Sequence, residues 1–499
     1  MPSPRLARAA CLLLALAASG DHDLADLEQE LRAPKPETRR AAVQKLAALH
    51  ERRAWDLVVG VLSDSDSMVA DEAEVLLGAS DDPKLARDLF GGAGLRARDA
   101  WVRLRAAEVL GRMPVELDAE LFARALASVD ANETDLRRML LWSIERSARA
   151  KRLAGDRAKA WRSAEAIATS RADVELRCAA LQAIATLDPI AAHPAVVEAL
   201  SAREAPLRVA GLLASAESTE QECLTVSGRA LEDAEPRVRV QAIENLEKLG
   251  SRAAILALVH QMEIETRERL RYGILAWLRA RSGLDVGFDA AAWRGWAEKV
   301  DGRLATGGGA GDRLPPVGGT KASFAGMSLI SDRVCFLVDF SGSTWQTKVG
   351  DRTRKEILDE KLRAALEALP AGTRFNVIPY TNDPIPWEKR LVASDKGSVK
   401  RALDFFERCH QSGRGNFYDA ALLAIEDPDV DTLVVLTDGV PTGGHRWNLE
   451  LMIELLVERN RYRKVAFDSV LVDAPKSKQK LWADLARRTG GRSTTTDLK

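Results

Sequence analysis

The chain changes its repeat pattern part-way along, and that change restricts it to two different architectures joined end to end. From residue 21 to about 300, Leu or Val followed by Arg, with small apolar residues in the next turn, recurs. The copies are Leu104-Arg105, Leu136-Arg137, Leu176-Arg177, Leu207-Arg208, Val238-Arg239 and Leu270-Arg271, with weaker ones at Thr38-Arg39 and Val69-Ala70. Successive copies lie 31, 35, 32, 40, 31, 31 and 32 residues apart. A period in this range marks supersecondary units that bury their apolar faces on one another in a stack. The segment is rich in Ala, Leu, Arg and Glu with apolar residues at helical spacing, so the units are helical. Pro206 and Pro236 stand just before two of the copies, where proline suits the first turn of a helix.

From about Phe324 the pattern alternates between strands and helices. The spacing predicts strands over 333–338, 374–380, 432–437 and 465–472. Helices are predicted over 355–369, 398–409, 418–425, 449–460 and 478–489. Alternation of this kind builds a doubly wound α/β domain with a mostly parallel sheet. Residues 301–323, with Gly307-Gly308-Gly309-Ala310-Gly311 and Pro315-Pro316, read as a linker by composition. No strand-to-helix turn or Gly-Lys-Ser/Thr accompanies these glycines, so they are not a phosphate loop. Just before them, Trp293 and Trp296 share one face of a short amphipathic helix, where they would cap the open end of the stack. A chain of 499 residues exceeds one core in any case.

Charge narrows the partners. The 72 Lys+Arg and 73 Asp+Glu nearly cancel, which removes the general electrostatic argument for nucleic acid or an anionic membrane. Residues 1–20 have the form of an export signal: Arg5 and Arg8, an apolar run from Ala9 to Ala18, then Ser19-Gly20. The alternative is an ordinary buried first helix. The run is too short to cross a bilayer, and no other segment is suited to it. The expected destination is a periplasm, a cell surface or the medium. The five cysteines show no disulfide framework, and the reading is buried free thiols. The six histidines are dispersed without metal-site spacing.

The chemistry gathers at Asp339-Phe340-Ser341-Gly342-Ser343, directly after the apolar run Val334-Cys335-Phe336-Leu337-Val338. Five apolar residues bounded by charge and glycine are a fully buried strand. One carboxylate and two hydroxyls then follow at alternate positions. A second strand, apolar at its centre, ends in Thr437-Asp438-Gly439. Two such strands belong at the middle of the sheet, so Asp339 and Asp438 would reach the same edge, where open α/β sheets bind ligands. Hard oxygen donors suit a small divalent cation, Mg²⁺ in the first place, with Mn²⁺ or Ca²⁺ as alternatives. Mg²⁺ takes few protein ligands, which leaves a coordination position for an outside carboxylate.

Asp339-x-Ser341-x-Ser343 with Thr437-Asp438-Gly439 resembles the metal-ion-dependent adhesion site of von Willebrand factor A domains. The resemblance spans roughly 324–499. The segment Glu235-Pro236-Arg237-Val238-Arg239-Val240-Gln241-Ala242-Ile243 similarly resembles a HEAT repeat, over about 25–300. Together they imply an α-solenoid followed by a Rossmann-like α/β domain, with an irregular helical bundle as the alternative for the first part. They also imply direct metal ligation by Ser341 and Ser343, with Asp339 and Asp438 acting directly or through water. The family's usual threonine ligand precedes its central helix. Here the stretch is Ser412-Gly413-Arg414-Gly415-Asn416-Phe417-Tyr418-Asp419, and Gly415 stands at the threonine position. Asn416 is the adjacent donor expected to help fill the gap, and Asp419 is expected to support the following helix. The alternative is the same fold with an empty site. Trp345 and Trp447 flank the motifs and are expected to contact a partner, with His445 and Arg446 nearby. Packing against neighbouring loops is the alternative for the tryptophans. The partner implied is a protein offering an acidic residue. No Ser/His/Asp, Cys/His or two-metal carboxylate arrangement is legible, so no enzyme is expected.

Overall fold

The computed structural model describes residues 24–302, 322–342, 348–349, 351–410 and 412–496. The expected export signal, Ser343 and Trp345 therefore lie outside the described residues, as does nearly all of the expected linker. The chain is an α-helical part followed by an α/β domain. Contacts divide it into two compact units, Met1–Ala214 and Ser215–Lys499, so the second unit contains the last helices of the repeating part as well as the sheet.

Seven helices of the repeating part begin at a capping aspartate. Asp66, Asp82, Asp99, Asp118, Asp156, Asp173 and Asp188 each accept a backbone N–H of the first turn from the N-cap position. This satisfies donors that the helix itself leaves orphaned. The recurring pairs sit at one register, as the third and fourth residues of the helices Pro36–Leu49, Ser67–Ala79, Ala100–Arg112, Thr134–Arg149, Val174–Leu187, Ala205–Ser215, Pro236–Leu249 and Glu268–Ser282. That register corrects one copy. In the helix Ala100–Arg112 the fourth residue is Arg103, not Arg105.

The fourth-residue arginines bridge the stack. Arg39 donates Nε and Nη2 to Asp64 at 2.7 Å each and Nη1 to the carbonyl of Ala33 at 2.9 Å. Arg239 repeats this with Glu265, at 2.9 and 2.7 Å, and with the carbonyl of Asp233 at 2.8 Å. Arg103 does the same with Glu133 and the carbonyl of Ala97. Arg105 instead lies buried, donating to Asp71 at 2.7 Å and Glu74 at 2.6 Å. Trp293 is fully buried on the helix Ala290–Ala297, which packs on Arg252–Ile264, and it meets the Trp296 ring edge-on at 5.9 Å.

The α/β domain has one six-stranded sheet: β1 (Arg333–Asp339), β2 (Arg374–Tyr380), β3 (Val392–Ala393), β4 (Thr432–Thr437), β5 (Ala466–Val472) and β6 (Ser493–Thr496). The spatial order is β3-β2-β1-β4-β5-β6, parallel throughout except for the short edge strand β3. This is the doubly wound order, and the chain reverses its direction of winding between β1 and β4. Both strands are buried on both faces, which is why they read as continuous apolar runs.

On one face Val334, Phe336 and Val338 pack against α1 (Arg354–Glu367) and α2 (Lys396–Arg408). On the other, Cys335 and Leu337 pack against α3 (Phe417–Ile425), α4 (Leu449–Arg459) and α5 (Lys476–Arg488). The two short edge strands β3 and β6 have no apolar run, and the sequence pattern did not reveal them. Cys178, Cys223, Cys335 and Cys409 are buried free thiols. Among the described residues no helix is long and apolar enough to cross a membrane.

Candidate metal centre

The site begins with register. Leu436 on β4 pairs with Val338 on β1, so Thr437 falls beside Asp339 and Asp438 one step beyond, at the carboxyl ends of adjacent central strands. This is the switch point of the sheet, where the connections to either side leave a crevice. Asp339 and Asp438 line a small cleft there with Thr437, Leu436, Val472, Leu358 and Arg354. Arg354, which the sequence pattern did not single out, is anchored by Asp473 at 2.7 Å.

Asp339 is 2 % exposed. Its Oδ1 accepts the Ser341 N–H at 2.8 Å, and its Oδ2 accepts the Thr437 hydroxyl at 2.8 Å. Burial, and then the charge of Asp438, push its pKa up to about 6 against those two bonds. The Tyr380 hydroxyl is buried at the end of β2, and its pKa goes well above the ordinary value through burial and the nearby Asp339.

Three loops are knitted together around this pair. Gly342 N donates to the Gly413 carbonyl at 2.9 Å, and Ser341 bridges Gly413 in parallel. Gly415 N donates to the Thr442 hydroxyl at 2.8 Å, while Thr442 N returns to the Gly415 carbonyl at 3.1 Å. Beneath them Phe340 packs on Phe406, and the buried Lys355 ammonium lies 5.0 Å from the Phe340 ring and 4.8 Å from the Phe406 ring. The first loop therefore stands on an anchored aromatic pair.

Gly415 occupies the place that matters most. A Cβ built there would lie 3.5 and 3.6 Å from the Asp339 oxygens and 3.6 Å from the Ser341 Cβ. Those are ordinary contacts, so a side chain fits, and it would meet Asp339 and Ser341 together. The donor set is thus two carboxylates with mutual repulsion, a serine beside one of them, and space at the third loop. A divalent cation fits this chemistry, since its charge would offset the burial and the Asp438 repulsion that together raise Asp339. Among the described residues no group of three or more His, Cys, Asp or Glu is placed to hold a metal, so such an ion would depend on hydroxyls.

Asn416 is turned to other work. Its Nδ2 donates to the Asn382 carbonyl at 2.8 Å and to Asp419 Oδ2 at 2.7 Å, and its Oδ1 caps α3 by accepting Asp419 N. The Gly415 Cβ position lies against Asp339. Asp419 also holds the exposed His445 through Nδ1 at 2.9 Å. Trp447 is half-buried just before α4. Arg446 is buried at 1 % exposure, so it is not the surface contact its place in the sequence suggested.

No protein-family profile matches the chain. A human protein, inter-alpha-trypsin inhibitor heavy chain H2, is 29% identical over 127 residues, which span 23% of this chain and 13% of that protein. Among solved structures, a von Willebrand factor type A protein from Catenulispora acidiphila is similar with 18% identity and a TM-score of 0.28, over 34% of this chain and 39% of that one. The SpRpn10 VWA domain is similar with 17% identity and a TM-score of 0.27, over 33% of this chain and 88% of that one. The CpcE–CpcF complex of phycocyanin lyase from Nostoc sp. PCC7120 is similar with 17% identity and a TM-score of 0.23, over 56% of this chain and 96% of that one. Each of these matches covers only part of the chain, and the chain spans about an eighth of the curated relative it matches.

Proposed function

We propose that this is an exported, non-enzymatic interaction module whose α/β domain grips a partner carboxylate through a divalent cation. The observation that carries the reading is the meeting of Asp339 and Asp438 at the switch point, with Asp339 buried and pushed up to about 6 partly by its neighbour. Asp339, Ser341, Ser343 and Asp438 would hold the ion. When bound, Mg²⁺ or Mn²⁺ supplies charge and an open coordination position. The chain's own residues fix the carboxylate through Thr437 and the Ser341 N–H and exclude water from its inner side. Trp345 and Trp447 are the proposed aromatic contacts of the rim, and the HEAT-like helices offer a second extended surface. The partner sought is a protein with an exposed acidic residue.

The test is capture from the native host by the full chain, with crosslinking and mass spectrometry. The same partner should be recovered with wild type and Mg²⁺, and lost with EDTA or with Asp339→Ala. Capture indifferent to both removes the metal-bridged reading. Gly415 favours a second reading, a scaffold with an empty site, because the position facing Asp339 and Ser341 carries no side-chain donor. In that case the partner would be recovered equally under all three conditions.

A further inference from the structure

The edge of the sheet opposite the candidate site carries a second cluster of charge. Asp332 precedes β1, Asp431 precedes β4, and Asp468 lies near the start of β5. Asp468 is 1 % exposed and receives Arg492, whose Nη2 also donates to the Ser328 carbonyl at 2.9 Å. Asp431 is bonded to Ser331 and Thr432. Arg492 thus serves Asp468, while Asp431 is held from the sheet side by the Ser331 and Thr432 hydroxyls.

The remaining positive charge comes from the helical part of the same compact unit. Arg269, on the helix Glu268–Ser282, donates Nη2 to the Gly490 carbonyl at 2.6 Å, and its Nη1 lies 3.9 Å from Asp468. Burial lowers its pKa, while Asp468 and Asp431 oppose that change. Arg267 pairs with Asp332 at 2.9 Å, and Arg237 donates to the Pro428 carbonyl at 3.0 Å. Lys464, between α4 and β5, pairs with Glu244 on the helix Pro236–Leu249 at 2.6 Å. The arginines stand at the starts of two helices, whose N-terminal dipoles also favour carboxylates.

We infer that the helices Pro236–Leu249 and Glu268–Ser282 are a built-in docking partner for the amino-terminal edge of the sheet, holding it by these ion pairs independently of residues 303–321. The charge count gives the reason. With the helices in place, Arg269 and Arg492 balance Asp431 and Asp468. Without them Asp431 loses the arginine charge that faces it and keeps the Ser331 and Thr432 hydroxyls, which is costly for a partly buried carboxylate. The α/β domain is then complete only with the helices docked. The strands run away from this edge toward Asp339 and Asp438, so docking leaves the candidate site's edge free of these helices.

A protease recognition sequence placed within 303–321 of the full chain tests this. After cutting, the two wild-type fragments should co-elute in size-exclusion chromatography at near-physiological salt, and Arg269→Glu should make them separate. If that variant does not fold, as judged by circular dichroism before cutting, the exposed pair serves instead. Lys464→Glu should weaken fragment association roughly three- to tenfold, and Lys464→Glu with Glu244→Lys should restore it. Separation of the wild-type fragments on cutting overturns the inference. So does co-elution unaffected by both Arg269→Glu and Lys464→Glu.

Discussion

Gly415 is the position at which the proposed metal centre is most easily strengthened. Its backbone lies outside the left-handed region, and a Cβ there makes only ordinary contacts with Asp339 and Ser341. Gly415→Thr would therefore place a hydroxyl beside both without strain. The expected outcome is Mg²⁺ or Mn²⁺ affinity raised by about tenfold, roughly what one added ligand of about 1.4 kcal/mol supplies. Isothermal titration of the full chain checks it, and an unchanged affinity would contradict the placement. Asp339 supplies a second test at the same scale. Its folded pKa of about 6 exceeds the ordinary 3.8, so the folded state favours the protonated form. Stability from this group is present below pH 4 and is lost as pH rises toward 6. In EDTA, Asp339→Asn should melt higher than wild type above pH 6, and the difference should shrink or reverse at pH 4. Thermal melts across that range read it directly.

At the level of elements, fourth-position arginines tie their helices to a following turn or helix, as Arg39 does with Asp64, Arg103 with Glu133 and Arg239 with Glu265. The Arg239 side chain is 12% exposed and that of Glu265 is 1% exposed. Burial pushes Glu265 up, but Arg239, the Arg267 N–H and Gln261 together bring it below the ordinary range. That stabilisation is present above the unfolded pKa and lost as pH falls through the folded one. Arg239→Ala should cost about 3–5 kcal/mol near neutral pH, because it leaves a buried carboxylate unpaired, and less below pH 4. Chemical denaturation at two pH values tests it. Most elements were legible because their patterns are strong. The apolar runs of β1 and β4 and the helical periods fall within two residues of where the sequence puts them. The Arg103 copy was missed because Arg105, two residues on, follows a leucine and mimics the pattern while serving the buried Asp71 and Glu74. The edge strands β3 and β6 were hidden because, at two and four residues, they are too short to show a period.

Across the whole molecule, the sequence pattern foretold two grammars but not their grouping. The contact division falls at Ala214, inside the repeating part, and no composition shift marks it. Within the second unit, Arg267 and Arg269 at a helix start bond partners more than 60 residues away, beyond any local pattern. Likewise Asp339 and Asp438 were legible as a pair. The way Asn416 serves Asn382 and Asp419 required the folded loops. The proposed function requires that the Asp339–Asp438 edge hold a divalent cation. Calorimetric titration of the full chain with Mn²⁺ and Mg²⁺ near pH 7.5 tests it most directly. Wild type should give a saturable one-site isotherm that Asp339→Ala abolishes. A flat titration for wild type and for Gly415→Thr alike would contradict it.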